Sequence, residues 1–363
     1  MMDRNEWFKS RKWGIFVHYL YRFQNGNYLN TKGKSFTDWE TCVNEFDVEL
    51  FAKQMNNLGC GYVMFTVGQM SKYFCAPNEI YNQITGYKTG EACSSRDLIA
   101  DLIKALKVYD IPLFLYISAD GPYQDDQAGD RMGLRRNSIA AQVDEKFVRH
   151  WGMVLKEYSL RYGTDIKGWW VDSCYNWLGY TDEFISSLKE CLLAGNPDSL
   201  IAFNNGVEWK DYDNPKFAQF YNSSDCPIRK MEKIEDAMLT GLYDDTGYME
   251  LDIEKQIHSM DDYPAGEKND FVSLPSGKTL PFVWHTLSFL GISGEKNPPK
   301  PPYQSNGGGW GAIGSRYSAQ YMYDYVTKVN ELGGVVSIDV ALFRDGSLDA
   351  GQVETLRLLK NIL

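Results

Sequence analysis

Four stretches of this chain share one shape, an apolar run long enough for a buried strand that ends in polar side chains. They are Trp13-Gly-Ile-Phe-Val-His18, Tyr62-Val-Met-Phe-Thr-Val67 leading to Gln69, Pro112-Leu-Phe-Leu-Tyr-Ile-Ser118 leading to Asp120, and Ile166–Asp172. Near-continuous apolar runs are what strands of a parallel sheet covered on both faces look like. Several such strands delivering polar groups to one rim describe a parallel barrel whose function lies at its C-terminal face. Asp172, a single carboxylate closing Lys167–Asp172, is the most pointed of these tips.

Between the runs lie segments of helical period. Val48–Leu58 carries apolar residues at Val48, Leu50, Phe51, Met55 and Leu58 and stops at Gly59. The alternation continues with helices over Arg96–Tyr109, Gln142–Tyr162, Thr181–Ala194, Ser318–Leu332 and Ala350–Ile362. Further strands are expected at Leu200–Asn205, Phe217–Asn222, Pro281–Leu287 and Gly334–Val340. Eight strands joined by right-handed βαβ crossovers predict a (β/α)8 TIM-like barrel, an α/β fold forming a single catalytic domain over residues 1–363. An open doubly wound sheet would carry a Gly-x-Gly-x-x-Gly turn for phosphate, and none is present. Gly307–Gly311 instead lies in a loop rich in Pro, Gly and Asn, which predicts a rim loop presenting Trp310.

A net charge of −11 with no long basic run excludes nucleic acid and anionic membrane surfaces as expected partners. Seven cysteines, odd in number and without a Cys-x-x-Cys pair, suggest neither a disulfide framework nor a zinc knuckle. A reducing, cytoplasmic setting is the simpler expectation; a secreted or periplasmic form trimmed of its signal would read the same. Four scattered histidines predict no metal site, and no cofactor motif is evident. The 10 Trp and 24 Tyr exceed what a core needs; aromatic platforms commonly hold the apolar faces of sugar rings, and aromatics also fill cores. Strand alternation puts Trp170 on the same face as Asp172 and leaves Trp169 for the helix layer.

Several segments, in order, resemble the catalytic domain of glycoside hydrolase family 29, the retaining α-L-fucosidases. They are Trp13–His18, Phe36-Thr-Asp-Trp39, Phe46–Met55, Leu58–Thr66, Arg96-Asp-Leu-Ile99 through Tyr116-Ile-Ser118, Trp169-Trp-Val-Asp172, and Leu332–Ser337 through Asp345-Gly346. The family's C-terminal β-sandwich is missing. So is the His-His pair after the second strand, where this chain reads Val67-Gly-Gln-Met-Ser-Lys-Tyr-Phe74.

The resemblance implies a retaining exo-glycosidase that removes a terminal α-linked sugar from an oligosaccharide or glycoconjugate, with α-L-fucose as the default. Asp172 would be the nucleophile. Glu250 is the first choice for the acid/base and Glu208 the second, because the family carries that group on a loop after the nucleophile. His18, Tyr19, Gln69, Trp170, Asn204, Trp284 and Trp310 are the expected sugar contacts. Two other readings stand beside this one: a glycosidase for another sugar such as an α-galactoside, and a catalytically silent barrel that binds glycan. A homo-oligomer is compatible with all three.

Overall fold

The computed structural model describes residues 3–25, 32–134, 142–175, 178–205, 207–209, 248–268, 270–292 and 309–363, with backbone alone at 207–209 and 248–250. In chain order the strands are β1 Trp13–Val17, β2 Val63–Gly68, β3 Leu113–Ser118, β4 Ile166–Asp172, β5 Leu200–Phe203, β6 Val207–Trp209, β7 Tyr248–Glu250, β8 His285–Phe289 and β9 Val335–Asp339. Seven of them form one parallel sheet in the order β5-β4-β3-β2-β1-β9-β8, while β6 and β7 make a separate antiparallel ribbon.

The period of two along each strand divides the apolar side chains between two layers. Ile15, Val17, Phe65, Leu115, Trp169 and Val171 face the surrounding helices. On the inner, concave side, Phe16, Met64, Phe114, Tyr116, Trp170, Ala202 and Leu287 form a second core. Helix α1 (Arg4–Ser10), N-capped by Asp3, pushes Phe8 into that inner core from the N-terminal end. The Phe8 ring lies 4.9 Å from Tyr263 and 5.4 Å from Tyr62. Burying a side chain of this size contributes roughly 1.5–3 kcal/mol.

The helices that follow the strands begin on side-chain caps. Asp47, Asp97, Asp144, Thr181, Ser318 and Asp349 each accept a backbone N–H from the first turn of the helix they precede. Such a cap contributes about 1 kcal/mol. The expected helix Val48–Leu58 is found with those bounds, ending on Gly59 at φ 68°. Arg96–Tyr109 shortens to Leu98–Lys107, and Ala350–Ile362 divides into Ala350–Leu356 and a 3-10 turn at Leu359–Asn361.

The sheet departs from the expected eight strands. Phe217–Asn222 lies outside the described residues. Among the described residues no regular strand joins β5 to β8; an irregular extended segment, residues 261–268, bridges them. Asp262 N–H donates to Ile201 O at 2.9 Å, Leu287 N–H to Gly266 O at 2.7 Å, and Lys268 N–H to Leu287 O at 2.9 Å. Pro264 has no N–H to give, and Gly266 sits at φ 69° where a Cβ would come within 2.1 Å of His285 O. The strand expected at Pro281–Leu287 begins four residues later, where His285 pairs with Val335. No helix among the described residues is long and apolar enough to cross a membrane.

Candidate active site

Asp172 ends β4 with its carboxylate inside the C-terminal rim, in register with Ser118 of β3. Both oxygens are held. Oδ2 accepts the Tyr116 hydroxyl at 2.5 Å and faces Gln69 Nε2 at 3.4 Å. Oδ1 accepts Asn204 Nδ2 at 2.8 Å and the Ser173 N–H at 2.8 Å, with the Tyr175 hydroxyl at 3.4 Å. Ser173 adopts φ 60°, a left-handed conformation uncommon for a side chain with a Cβ, and that turn points its N–H back at Asp172. Donors fixed by strands β3, β4 and β5 leave this carboxylate one orientation.

A second carboxylate shares the same amide. Asn204 Nδ2 also contacts Glu267 Oε2, at the end of the bridging segment. Two oxygens within hydrogen-bond reach of one nitrogen lie at most about 6 Å apart. Burial first, and then the charges of Asp172, Asp120 and Glu267, push the Tyr116 phenol well above its ordinary range, so it stays a hydrogen donor.

On the other side of the rim, His18 Nδ1 meets Asp339 Oδ1 at 2.8 Å, and Asp339 Oδ2 accepts the Gly311 N–H at 2.6 Å. With Nδ1 on that carboxylate, His18 Nε2 is left with no partner among the described residues. Trp310 is half-buried on Phe289 at 4.9 Å and lies 5.8 Å from the His18 ring. Beneath them Tyr116 and Trp170 stack with centroids 5.4 Å apart, and Phe16 meets both edge-on. The half-buried Trp310 ring beside paired carboxylates can hold a pyranose ring by one face while one of the sugar's carbons meets an oxygen nucleophile.

The expected site residues divide accordingly. Asp172, Gln69 and Asn204 come together, with His18, Trp170 and Trp310 around them. Tyr19 is turned the other way: one residue past His18, it packs between Trp39, Phe46 and Phe65 and donates to Cys42 O at 2.8 Å, so it belongs to the helix layer. Trp284 precedes β8 at the N-terminal end of the sheet, buried beside Val329 and Gly334, and is core. The backbones of Glu208 and Glu250 belong to the β6–β7 ribbon, and their side chains lie outside the described residues.

Three participants escaped sequence reading. Asp339 had a signal, since it closes the apolar run Val335–Ile338 in the manner of Asp172. Tyr116 had a weaker one, two residues before the tip of β3 and hence on the Ser118 face. Glu267 had none, because its segment reads neither as strand nor as helix.

No family model and no curated protein matches this chain in sequence. Solved structures are similar in fold. An endo-fucoidan hydrolase, P5AFcnA, of glycoside hydrolase family 107 matches with a TM-score of 0.61 at 13% identity, over 99% of this chain and 93% of that chain. A family 29 α-L-fucosidase from Bacteroides thetaiotaomicron matches with a TM-score of 0.58 at 12% identity, over 100% of this chain and 74% of that chain. A further structure of a family 29 α-L-fucosidase from that bacterium, a trapped covalent intermediate with 2-fluoro-fucosyl fluoride, matches with a TM-score of 0.58 at 14% identity, over 99% and 75%.

Proposed function

We propose that this protein is a retaining glycoside hydrolase that removes a terminal α-linked sugar, with α-L-fucose as the first substrate, and that its sheet and bridging segment act as a closed barrel around the site. The observation that carries this reading is the pair Asp172 and Glu267, two carboxylates sharing one Asn204 amide at the rim. Retaining enzymes hold their two carboxyl groups about 5–5.5 Å apart, and the shared amide supports a separation of that order. The likeness of the fold to fucose-acting hydrolases, one of them captured as a covalent intermediate, supports the sugar and the double displacement.

In this mechanism Asp172 attacks the anomeric carbon, forming a glycosyl ester as the glycosidic C–O bond breaks. Glu267, as the acid, gives its proton to the departing oxygen. The resulting Glu267 carboxylate then takes a proton from water, whose oxygen attacks the anomeric carbon and releases Asp172. Tyr116 and Asn204 hold the two Asp172 oxygens throughout, and His18 Nε2 accepts a sugar hydroxyl.

Hydrolysis of aryl α-L-fucoside, aryl α-galactoside and polymeric fucoidan tests the reading. Glu267→Ala is expected to lose turnover and to regain it with azide on a good-leaving-group fucoside. Rescue at Glu208→Ala or Glu250→Ala instead would move the acid/base there. Sugar binding without hydrolysis by the wild type would favour the silent barrel.

A further inference from the structure

We propose that Asp120 is a positioning residue for Asp172, acting through Ser118 and Ser173 to hold the left-handed turn that aims the Ser173 N–H at the nucleophile. The inference rests on the reading of Asp172 as nucleophile.

Asp120 follows the tip of β3 and is 4% exposed. Its Oδ1 contacts the Ser118 hydroxyl, which lies 3.2 Å from Ser173 Oγ. The link to the nucleophile therefore runs through two serines: Asp120 holds the Ser118 hydroxyl, that hydroxyl meets Ser173 Oγ at 3.2 Å, and the Ser173 N–H donates to Asp172 Oδ1 at 2.8 Å. Ala119 N–H donating to Asp172 O at 2.8 Å ties the same two strand tips through their backbones. A non-glycine residue at φ 60° persists where its surroundings over-determine it, and here the Ser173 hydroxyl is the part of the turn that a partner can hold.

The groups facing Asp120 are Tyr116 from β3, Asp172 and Cys174 from the end of β4, and Tyr180, whose hydroxyl donates to Ala119 O. All are neutral or negative, and among the described residues Asp120 forms no ion pair. Burial, with a further push from the Asp172 charge, raises its carboxyl to about 7 against the two serine hydroxyls that lower it. Ionisation near neutrality sets a second charge beside the nucleophile and draws the Ser118 hydroxyl onto Asp120, which changes the Ser118–Ser173 contact, so that Asp172 senses the event through Ser173.

The test compares wild type, Asp120→Asn and Asp120→Ala on an aryl α-L-fucoside across pH 5–9, an interval chosen to bracket about 7. Expected is a kcat lower by on the order of tenfold in Asp120→Ala, since a nucleophile slightly misplaced costs up to about a hundredfold, with KM little changed. The wild-type kcat profile carries an inflection near pH 7 that is absent in Asp120→Asn, a feature that loss of packing alone would not remove. A parallel titration follows the 13C carboxyl resonance of Asp172, assigned by its disappearance in Asp172→Asn. A step coincident with Asp120 ionisation is expected in wild type and not in Asp120→Asn. Turnover and profile identical in all three proteins would overturn the proposal while leaving the hydrolase reading intact. If wild type hydrolyses nothing, the hydrolase reading fails and the resonance decides: a coincident step supports the coupling, and a flat trace overturns it.

Discussion

Two buried polar networks lie inside the same sheet, one at each end, and they are built on opposite principles. Toward the N-terminal end, His285 donates from Nδ1 to Pro264 O and Ala265 O, accepts the Ser337 hydroxyl at Nε2 at 2.8 Å, and Ser337 in turn takes the Tyr62 hydroxyl at 2.7 Å. Every member is neutral: burial pushes His285 down to about 4 and the Tyr62 phenol far up. Toward the C-terminal end, Asp172, Asp120 and Glu267 crowd together with hydroxyls and amides for company. A neutral, satisfied network is an inexpensive way to specify a core. Carboxylates gathered around one another cost stability, and proteins keep such arrangements where chemistry needs them.

The largest effect that would sharpen this contrast is at Asp172. Asp172→Asn keeps the size of the side chain and removes a charge from the cluster, while replacing one accepting oxygen with an NH2 donor. Fucoside turnover is expected to fall about 1000-fold or more, as for essential groups acting as a unit. The melting temperature is expected to stay level or rise. A fall in melting temperature would show that the rim carboxylate serves the fold.

A smaller effect, opposite in sign at the two ends, lies in the pH dependence of stability. His285 has a lowered folded pKa, so its contribution is present above about 6.5 and is lost as pH drops through about 4. Asp120 has a raised one, so its contribution is complete below the ordinary value of 3.8 and is lost as pH climbs through about 7. Each window has a ceiling of roughly 3–4 kcal/mol. Urea titrations at several pH values are expected to lose the acid limb in His285→Gln and the neutral limb in Asp120→Asn. Unchanged limbs would dissolve the distinction.

Ser337→Ala gives the smallest change. It leaves the Tyr62 hydroxyl and His285 Nε2 short of a partner, about 1–2 kcal/mol of stability by denaturant unfolding. The kcat on an active substrate is expected to hold within error, because the change sits two layers below the rim.

How much of this was legible in the sequence follows from the same division. Strands β1 to β4 and β9 were readable because a parallel strand covered on both faces has to be apolar throughout, and that also exposed the polar tips His18, Gln69 and Asp172. Trp170 was separable from Trp169 by alternation, which the two core layers reproduce. Alternation applied one residue beyond the strand would have turned Tyr19 outward as well. Trp284 misled because an apolar residue just ahead of a strand looks like its beginning. Glu267 was hidden for a different reason: the segment that carries it makes its bonds to β5 and β8 without strand composition, around Pro264 and Gly266, so neither period marks it.

The strand order has a consequence for how the chain is made. β1 lies inside the sheet, between β2 and β9, although more than 300 residues separate it from β9 along the chain. During synthesis at about 5–20 residues per second, β1 waits with one open edge until β9 has left the ribosome. That edge, Trp13–Val17, is apolar and uncharged, the composition that pairs readily with other chains. A protein cut short before Val335 would lose β9 and leave the β1 edge exposed to aggregation.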